Sequence, residues 1–262
     1  MAAIIEAKNL SLKIGDRQIL RSLDLSVEKG AFVCIIGPNG AGKSSLLACL
    51  GGLAKGCCGE VLLEGKPLAS MSSREAARHI AWLHQSGSDT LPFTVRQFAE
   101  LSRYPWHSSF SGIVKEDEDA VERALVSANV VSLADRRLDT LSGGERQRAL
   151  LAAALAQGTD ILFLDEPASF LDYKYQEEML AVVEKINKEQ GITVVCVTHD
   201  VNFALRCAGK IFAVREGSLL WNGNREELLE QNILEQLFET RFSFFKTDGN
   251  KLACVVPKGL LI

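Results

Sequence analysis

Residues 35–45 read Ile35-Ile36-Gly37-Pro38-Asn39-Gly40-Ala41-Gly42-Lys43-Ser44-Ser45, an apolar strand end running directly into a glycine-rich turn and a helix-forming segment. No other stretch constrains the fold as strongly. The spacing G-x-x-x-x-G-K-S lets glycine-permitted turns aim several backbone N–H donors at one point, where a helix from Lys43 presents its positive dipole end. A polyphosphate suits that geometry. The loop from Gly37 to Ser45, with Pro38, Asn39, Gly40, Ala41 and Gly42 between, is expected to cradle it. Lys43 would reach the β- and γ-phosphates as a point charge, and the Ser44 hydroxyl would take one position on a Mg²⁺ bridging them. A plain glycine-rich turn is the competing reading, and the apolar run at 31–36 and helical pattern at 44–50 argue against it.

Such a loop alone leaves kinases, GTPases, motor ATPases and transport ATPases open. A second motif, Leu141-Ser142-Gly143-Gly144-Glu145-Arg146-Gln147, precedes the strongly helical 148–157. Ser142 stands where an N-cap belongs, and Gly143 and Gly144 are expected to leave the backbone bare at another anion-facing helix start. Next, Ile161-Leu162-Phe163-Leu164-Asp165-Glu166-Pro167 is a short apolar strand that delivers two carboxylates at its end. Adjacent strand residues face opposite ways, so the pair divides its work. Asp165 is assigned to the metal and Glu166 to orienting and deprotonating an attacking water. His199, after the apolar strand 192–197, should arrive at the same sheet edge, within reach of a γ-phosphate.

With these motifs in this order, the chain resembles the nucleotide-binding subunits of ATP-binding cassette (ABC) transporters over about residues 3–223. The resemblance implies an α/β P-loop NTPase fold, a RecA-like parallel sheet with an antiparallel β subdomain and an inserted helical subdomain. It implies ATP and Mg²⁺, with Ser169-Phe170-Leu171-Asp172 as the D-loop, so that Asp172 joins the nucleotide site. Gln85 becomes the Q-loop glutamine beside the metal and the reacting phosphate, and His199 the H-loop histidine. One cassette holds half of each site, so Ser142, Gly143 and Gly144 of a second copy would close over the ATP in a two-fold dimer. The segments Phe93-Thr94-Val95-Arg96, Arg103-Tyr104-Pro105-Trp106 and the tail from Asp248-Gly249-Asn250 to Val256-Pro257 resemble importers of iron-siderophore, haem and cobalamin complexes. The implied partners are a polytopic permease and, indirectly, a periplasmic or lipoprotein substrate-binding protein. The surface around residues 85–106, including Arg96 and Arg103, is expected to receive a short permease helix. Importers of other nutrients and a soluble ATPase of iron–sulfur assembly are the alternatives. Chromosome-maintenance ATPases are disfavoured because no long heptad arm separates the motifs.

The 262 residues carry 29 basic and 33 acidic side chains, net −4, with no basic stripe, so nucleic acid is not an expected partner. The N-terminus lacks a signal-peptide pattern and no apolar run approaches the ~18 residues of a membrane span. A peripheral position on the cytoplasmic face of the membrane follows as an expectation. Seven cysteines fit a reducing compartment, with Cys34 and Cys196 as small buried hydrophobes. Cys57-Cys58 stands where cassettes usually have a polar turn, and redox or metal use is not expected there.

Alternation over residues 3–30, broken at Gly15-Asp16, predicts an antiparallel hairpin, and 59–68 a second. Strands at 31–36, 161–165, 192–197 and 211–215 with helices between predict a parallel core. Residues 88–158 read as the helical subdomain and 224–262 as a C-terminal extension of one domain spanning 1–262. That extension is expected to hold one amphipathic helix over 225–240 and a strand pair around Asp248-Gly249-Asn250. Two positions depart from the family pattern. Ala153 stands where many relatives have Arg, and Ile14 where an aromatic ring usually stacks on adenine.

Overall fold

The computed structural model describes residues 2–84, 92–107, 114–169, 171–230, 232–246 and 252–258. The chain opens with the expected hairpin, β1 (Ala3–Ile14) and β2 (Arg17–Glu28), which turns through Gly15 at φ 57°. β3 (Phe32–Ile36), buried throughout, feeds the glycine loop and α1 (Lys43–Leu50). β4 (Cys57–Leu63) and β5 (Lys66–Pro67) form the second hairpin, followed by the one-turn α2 (Ser73–Ala76) and by β6 (Ile80–Leu83). Three helices come next, α3 (Val95–Leu101), α4 (Lys115–Ser127) and α5 (Gly143–Ala156). Strand and helix then alternate through β7 (Ile161–Asp165), α6 (Tyr173–Gln190), β8 (Thr193–Val197), α7 (Val201–Cys207) and β9 (Lys210–Arg215), and β10 (Ser218–Gly223) folds back on β9. The C-terminal part holds α8 (Arg225–Glu230), α9 (Ile233–Phe238) and the antiparallel pair β11 (Phe242–Lys246) and β12 (Leu252–Pro257).

The central sheet has the order β10-β9-β3-β8-β7-β6, parallel except for β10. Its strands are apolar on both faces because both are covered. Val33 and Ile35 of β3 point, with Phe163, Val195 and Val197, toward α1 and the antiparallel sheet β2-β1-β4-β5. Cys34 and Ile36 point the other way, with Leu162, Leu164 and Cys196, toward α6, α7 and the C-terminal helices. This period of two sandwiches α1 between the two sheets and holds the glycine loop rigid at its base. Helices α3, α4 and α5 gather around a separate apolar centre that includes Val95, Val121, Leu125 and Ala152.

Several details differ from the sequence reading. β6 joins the parallel sheet beside β7, although its four residues gave no distinct strand signal. The helix expected over 225–240 is two helices, with Asn232 in the left-handed region at φ 53° before α9. Cys57 forms a disulfide with Cys49 at the end of α1, with Cα atoms 6.4 Å apart, so the expectation of no redox chemistry at Cys57-Cys58 does not hold for Cys57, while Cys58 stays a free thiol. Cys34 and Cys196 are fully buried, and burial pushes the Cys34 thiol well above its ordinary range and the Cys196 thiol upward as well. Ala153 is buried within α5. The Asp248-Gly249-Asn250 turn lies outside the described residues.

Candidate active site

In an open parallel sheet the carboxyl ends of the strands are where loops converge and ligands bind. β3, β7 and β8 all end at this edge, in Ile36, Asp165 and Val197. Because β8 lies between β3 and β7, the loop after β3 and the carboxylates after β7 face each other across the end of β8, where His199 stands.

The loop folds as its glycines require. A Cβ at residue 37 would stand 2.1 Å from the Val214 carbonyl oxygen, so only glycine lets the loop leave β3 alongside β9. Gly42 precedes α1 with φ 98°. Asn39 and Gly40 are exposed at the tip, whereas Ala41 is buried. Lys43 is only 6% exposed and donates to the carbonyls of Gly37 at 2.9 Å and Pro38 at 3.1 Å. Burial lowers its pKa, partly offset by the charges of Glu166 and Asp165. Ser44 donates to Asp165 Oδ1 at 2.9 Å, joining the start of α1 to the end of β7. Burial raises the Asp165 pKa, the Ser44 hydrogen bond opposes it, and the neighbouring Glu166 charge adds to the rise.

Glu166 occupies the left-handed region at φ 48°, unfavourable for a non-glycine residue, and its amide donates to the Val197 carbonyl at 2.9 Å. That kink sends its carboxylate away from Asp165 toward β8. Glu166 Oε2 accepts the Ser169 hydroxyl at 2.7 Å and stands 3.1 Å from His199 Nδ1. Burial pushes this carboxyl up, but the Ser169 and His199 contacts and the Lys43 charge outweigh it, and its pKa lies below the usual range. A polar cavity of about 590 Å³ opens here, lined among others by Asn39, Ser44, Glu166, Gln176, Thr198 and His199.

The sequence reading missed Ser169 as a partner of Glu166, and Gln176 altogether. Gln176 donates to the Leu171 carbonyl at 2.9 Å and the Ala168 carbonyl at 3.3 Å, bracing the segment that Asp172 ends by capping α6. A glutamine four residues past an N-cap aspartate gives no local signal. Gln85 lies outside the described residues, as does Phe170. Ile14 is 60% exposed at the hairpin tip, paired with Arg17. Nearby Ile19 presents its carbonyl 3.1 Å from where a Gly42 Cβ would stand, so this hairpin flanks the loop. Ser142 caps α5 by accepting the Glu145 amide, and Glu145 accepts the Ser142 amide in return. Gly143 is exposed and open, but Gly144 is buried, so the expectation that both leave the backbone bare holds for Gly143 alone.

Arg103, expected on a partner-facing surface, is instead 12% exposed and paired with the buried Asp117 at 2.8 Å. It also donates to the carbonyls of Ala156 and Gln157 at the end of α5. Its charge holds helices together and does not present itself to a partner. A second cavity, of about 620 Å³, lies among Ala124, Leu155, Leu162 and Ile192, at the strand ends opposite the glycine loop.

The family model described as ABC transporter matches residues 20–169. The chain belongs to the ABC transporter family. The cassette is 37% identical over 257 residues to the ferric enterobactin transport ATP-binding protein of Escherichia coli, covering 98% of this chain and 95% of the relative. It is 36% identical over 235 residues to the iron(3+)-hydroxamate import ATP-binding protein of Bacillus subtilis, covering 90% and 87%. A bacterial ABC transporter cassette solved as a dimer superposes at TM-score 0.73 with 30% identity, over 84% of this chain and 98% of that one. Among the described residues, no helix is long and apolar enough to cross a membrane.

Proposed function

We propose that this cassette hydrolyses ATP to power an importer of an iron chelate, haem or cobalamin, through a separate polytopic permease. The observation that carries the chemistry is the convergence of Lys43, Ser44, Asp165, Glu166 and His199 on one strand edge. The ferric enterobactin transport and iron(3+)-hydroxamate import relatives support the iron-chelate cargo class. We read residues 1–262 as one ABC ATPase domain, with a helical subdomain at about 88–158 and a C-terminal extension at about 224–262.

The donor set suits Mg²⁺. The Ser44 hydroxyl and Asp165 carboxylate are hard oxygen ligands held together, and this ion prefers few protein ligands beside substrate phosphates and water. When bound, it would supply positive charge to offset the negative charge developing on the phosphates. The chain's own residues do the rest. Lys43 exchanges the carbonyls of Gly37 and Pro38 for phosphate oxygens, and the loop amides from Gly37 to Ser45 complete the cradle. Glu166 orients the water and takes its proton. Its pKa is low without nucleotide, and the negative charge of an arriving polyphosphate raises it toward the range of a working base. The same charge draws the His199 imidazole from Glu166 toward the γ-phosphate. Gln85 is the remaining water- and metal-facing candidate.

The second half of each site comes from Ser142, Gly143, Gly144 and Asp172 of another copy. The dimeric relative supports the pairing of two cassettes, and a two-fold arrangement of identical copies would place one ATP at each of two equivalent seams. Hydrolysis removes the γ-phosphate contacts and reopens the dimer, and this alternation drives the permease. The protein sits peripherally on the cytoplasmic face, and a periplasmic or lipoprotein binding protein delivers cargo to the permease from outside. The Glu166→Gln variant tests the catalytic reading. It should bind ATP, form a dimer with Mg²⁺ATP on size exclusion, and turn over about 10² or more slower. A monomer with wild-type turnover refutes it.

A further inference from the structure

Gly144 is buried, and what buries it is the ring of Tyr175, the third residue of α6. A Cβ at residue 144 would stand 2.3 Å from Tyr175 Cγ and 2.4 Å from Cδ1, inside any tolerable contact and against the fixed root of the ring. Two contacts hold Tyr175 in place. Its backbone amide donates to the Asp172 carboxylate at 3.1 Å, and the Arg148 guanidinium of α5 lies over its face, 5.4 Å from the centroid. Arg148 also pairs with Glu178 of α6. The start of α5, which carries Ser142 and Gly143, is therefore seated on the start of α6, which carries Asp172.

We propose that Tyr175 is a positioning residue for the second half of the nucleotide site. By occupying the space that glycine leaves at 144, its ring sets the height and tilt of the Ser142-Gly143 turn relative to Asp172. Both segments then meet the partner copy's nucleotide as one rigid surface. This rests on the ATP-sandwich dimer proposed above. On this account Gly144 is glycine to admit an aromatic ring from its own chain, whereas Gly143 is glycine because it faces outward.

The effect of a methyl group at 144 should then depend on Tyr175. The test uses the full chain carrying Glu166→Gln, with the Mg²⁺ATP concentration for half-maximal dimerisation as readout. Gly144→Ala should raise that concentration about tenfold or more, since overpacking a fixed contact displaces backbone. In a Tyr175→Ala background the same Gly144→Ala should cost about threefold or less, because contacting pairs are strongly non-additive. Tyr175→Ala alone should weaken dimerisation while a fluorescent ATP analogue binds the monomer with unchanged affinity, and Tyr175→Phe should restore dimerisation. Retained monomer affinity shows that each variant is folded. If Glu166→Gln itself does not dimerise, the sandwich reading fails and this proposal with it. If Glu166→Gln dimerises and Gly144→Ala is equally harmful with and without Tyr175, the sandwich stands and the positioning role of Tyr175 is overturned.

Discussion

Replacing Asp117 by alanine should loosen the helical cluster by stranding a buried charge. Asp117 is 3% exposed, and its carboxylate accepts from Arg103 Nε at 2.8 Å and the Val114 amide at 3.2 Å, with His107 Nε2 at 3.3 Å. Removing one partner of a buried pair strands the other charge, at a cost of about 3–5 kcal/mol. Arg103 keeps its two carbonyl partners at the end of α5, which pulls the expected loss toward the lower end, about 3 kcal/mol. That is a large share of the ~5–15 kcal/mol that stabilises a typical domain. Asp139 supplies the control. Its pair with Arg137 is shorter, at 2.6 Å, but lies in solvent, so Asp139→Ala should change stability far less. Denaturant unfolding compares the two, and hydrogen exchange in α3, α4 and α5 locates the loss. The pH dependence has a definite sign. Burial pushes the Asp117 carboxyl up, but Arg103, the Val114 amide and His107 hold it below the usual range. Its contribution is therefore full above the unfolded carboxylate value and lost as pH falls through the folded one. The gap between wild type and Asp117→Ala should accordingly be smaller at about pH 3 than at about pH 7. Equal losses for Asp117→Ala and Asp139→Ala, or a pH-independent gap, refute the reasoning.

The site yields further expectations. Burial raises the Asp165 pKa, so its ionised form costs the nucleotide-free fold free energy above the usual carboxylate range. Asp165→Asn should raise Tm at neutral pH, with the gain fading as acid protonates the wild type, while Mg²⁺-dependent hydrolysis is lost. The Ser169 hydroxyl holds the Glu166 pKa down, so Ser169→Ala should move the acid limb of the rate–pH profile upward, and an unmoved limb counts against that contact. An aromatic ring at the exposed hairpin tip would add roughly 0.5–1.5 kcal/mol of stacking, so Ile14→Tyr should tighten ATP binding by about 2- to 12-fold with an unchanged maximal rate. An unchanged dissociation constant there means that another residue covers the adenine.

The chemistry-bearing loops were legible in the sequence because each is a local pattern. The glycine spacing before Lys43, the serine cap with Glu145 three residues on, and the apolar strand ending in Asp165-Glu166 each specify their own backbone within a few residues. The hairpins and the alternation of strand and helix were legible for the same reason, through periods of two and of 3.6. Contacts between distant segments were not. No local rule makes Ile80–Leu83 a strand, and it becomes one because β7 offers an open edge. The pairing of Cys49 with Cys57 depends on how the end of α1 meets β4, and a count of cysteines is blind to it. Arg103 and Arg96 look alike in sequence, but only Arg103 meets a buried carboxylate, and Glu122 lets Arg96 stay at the surface. The two glycines after Ser142 likewise part company in three dimensions, since an aromatic ring 31 positions away covers one and leaves the other open. Local sequence sets what a segment can do with its own hydrogen bonds and periodicity, whereas burial, and with it charge pairing and pKa, belongs to whichever segments the packed core brings together.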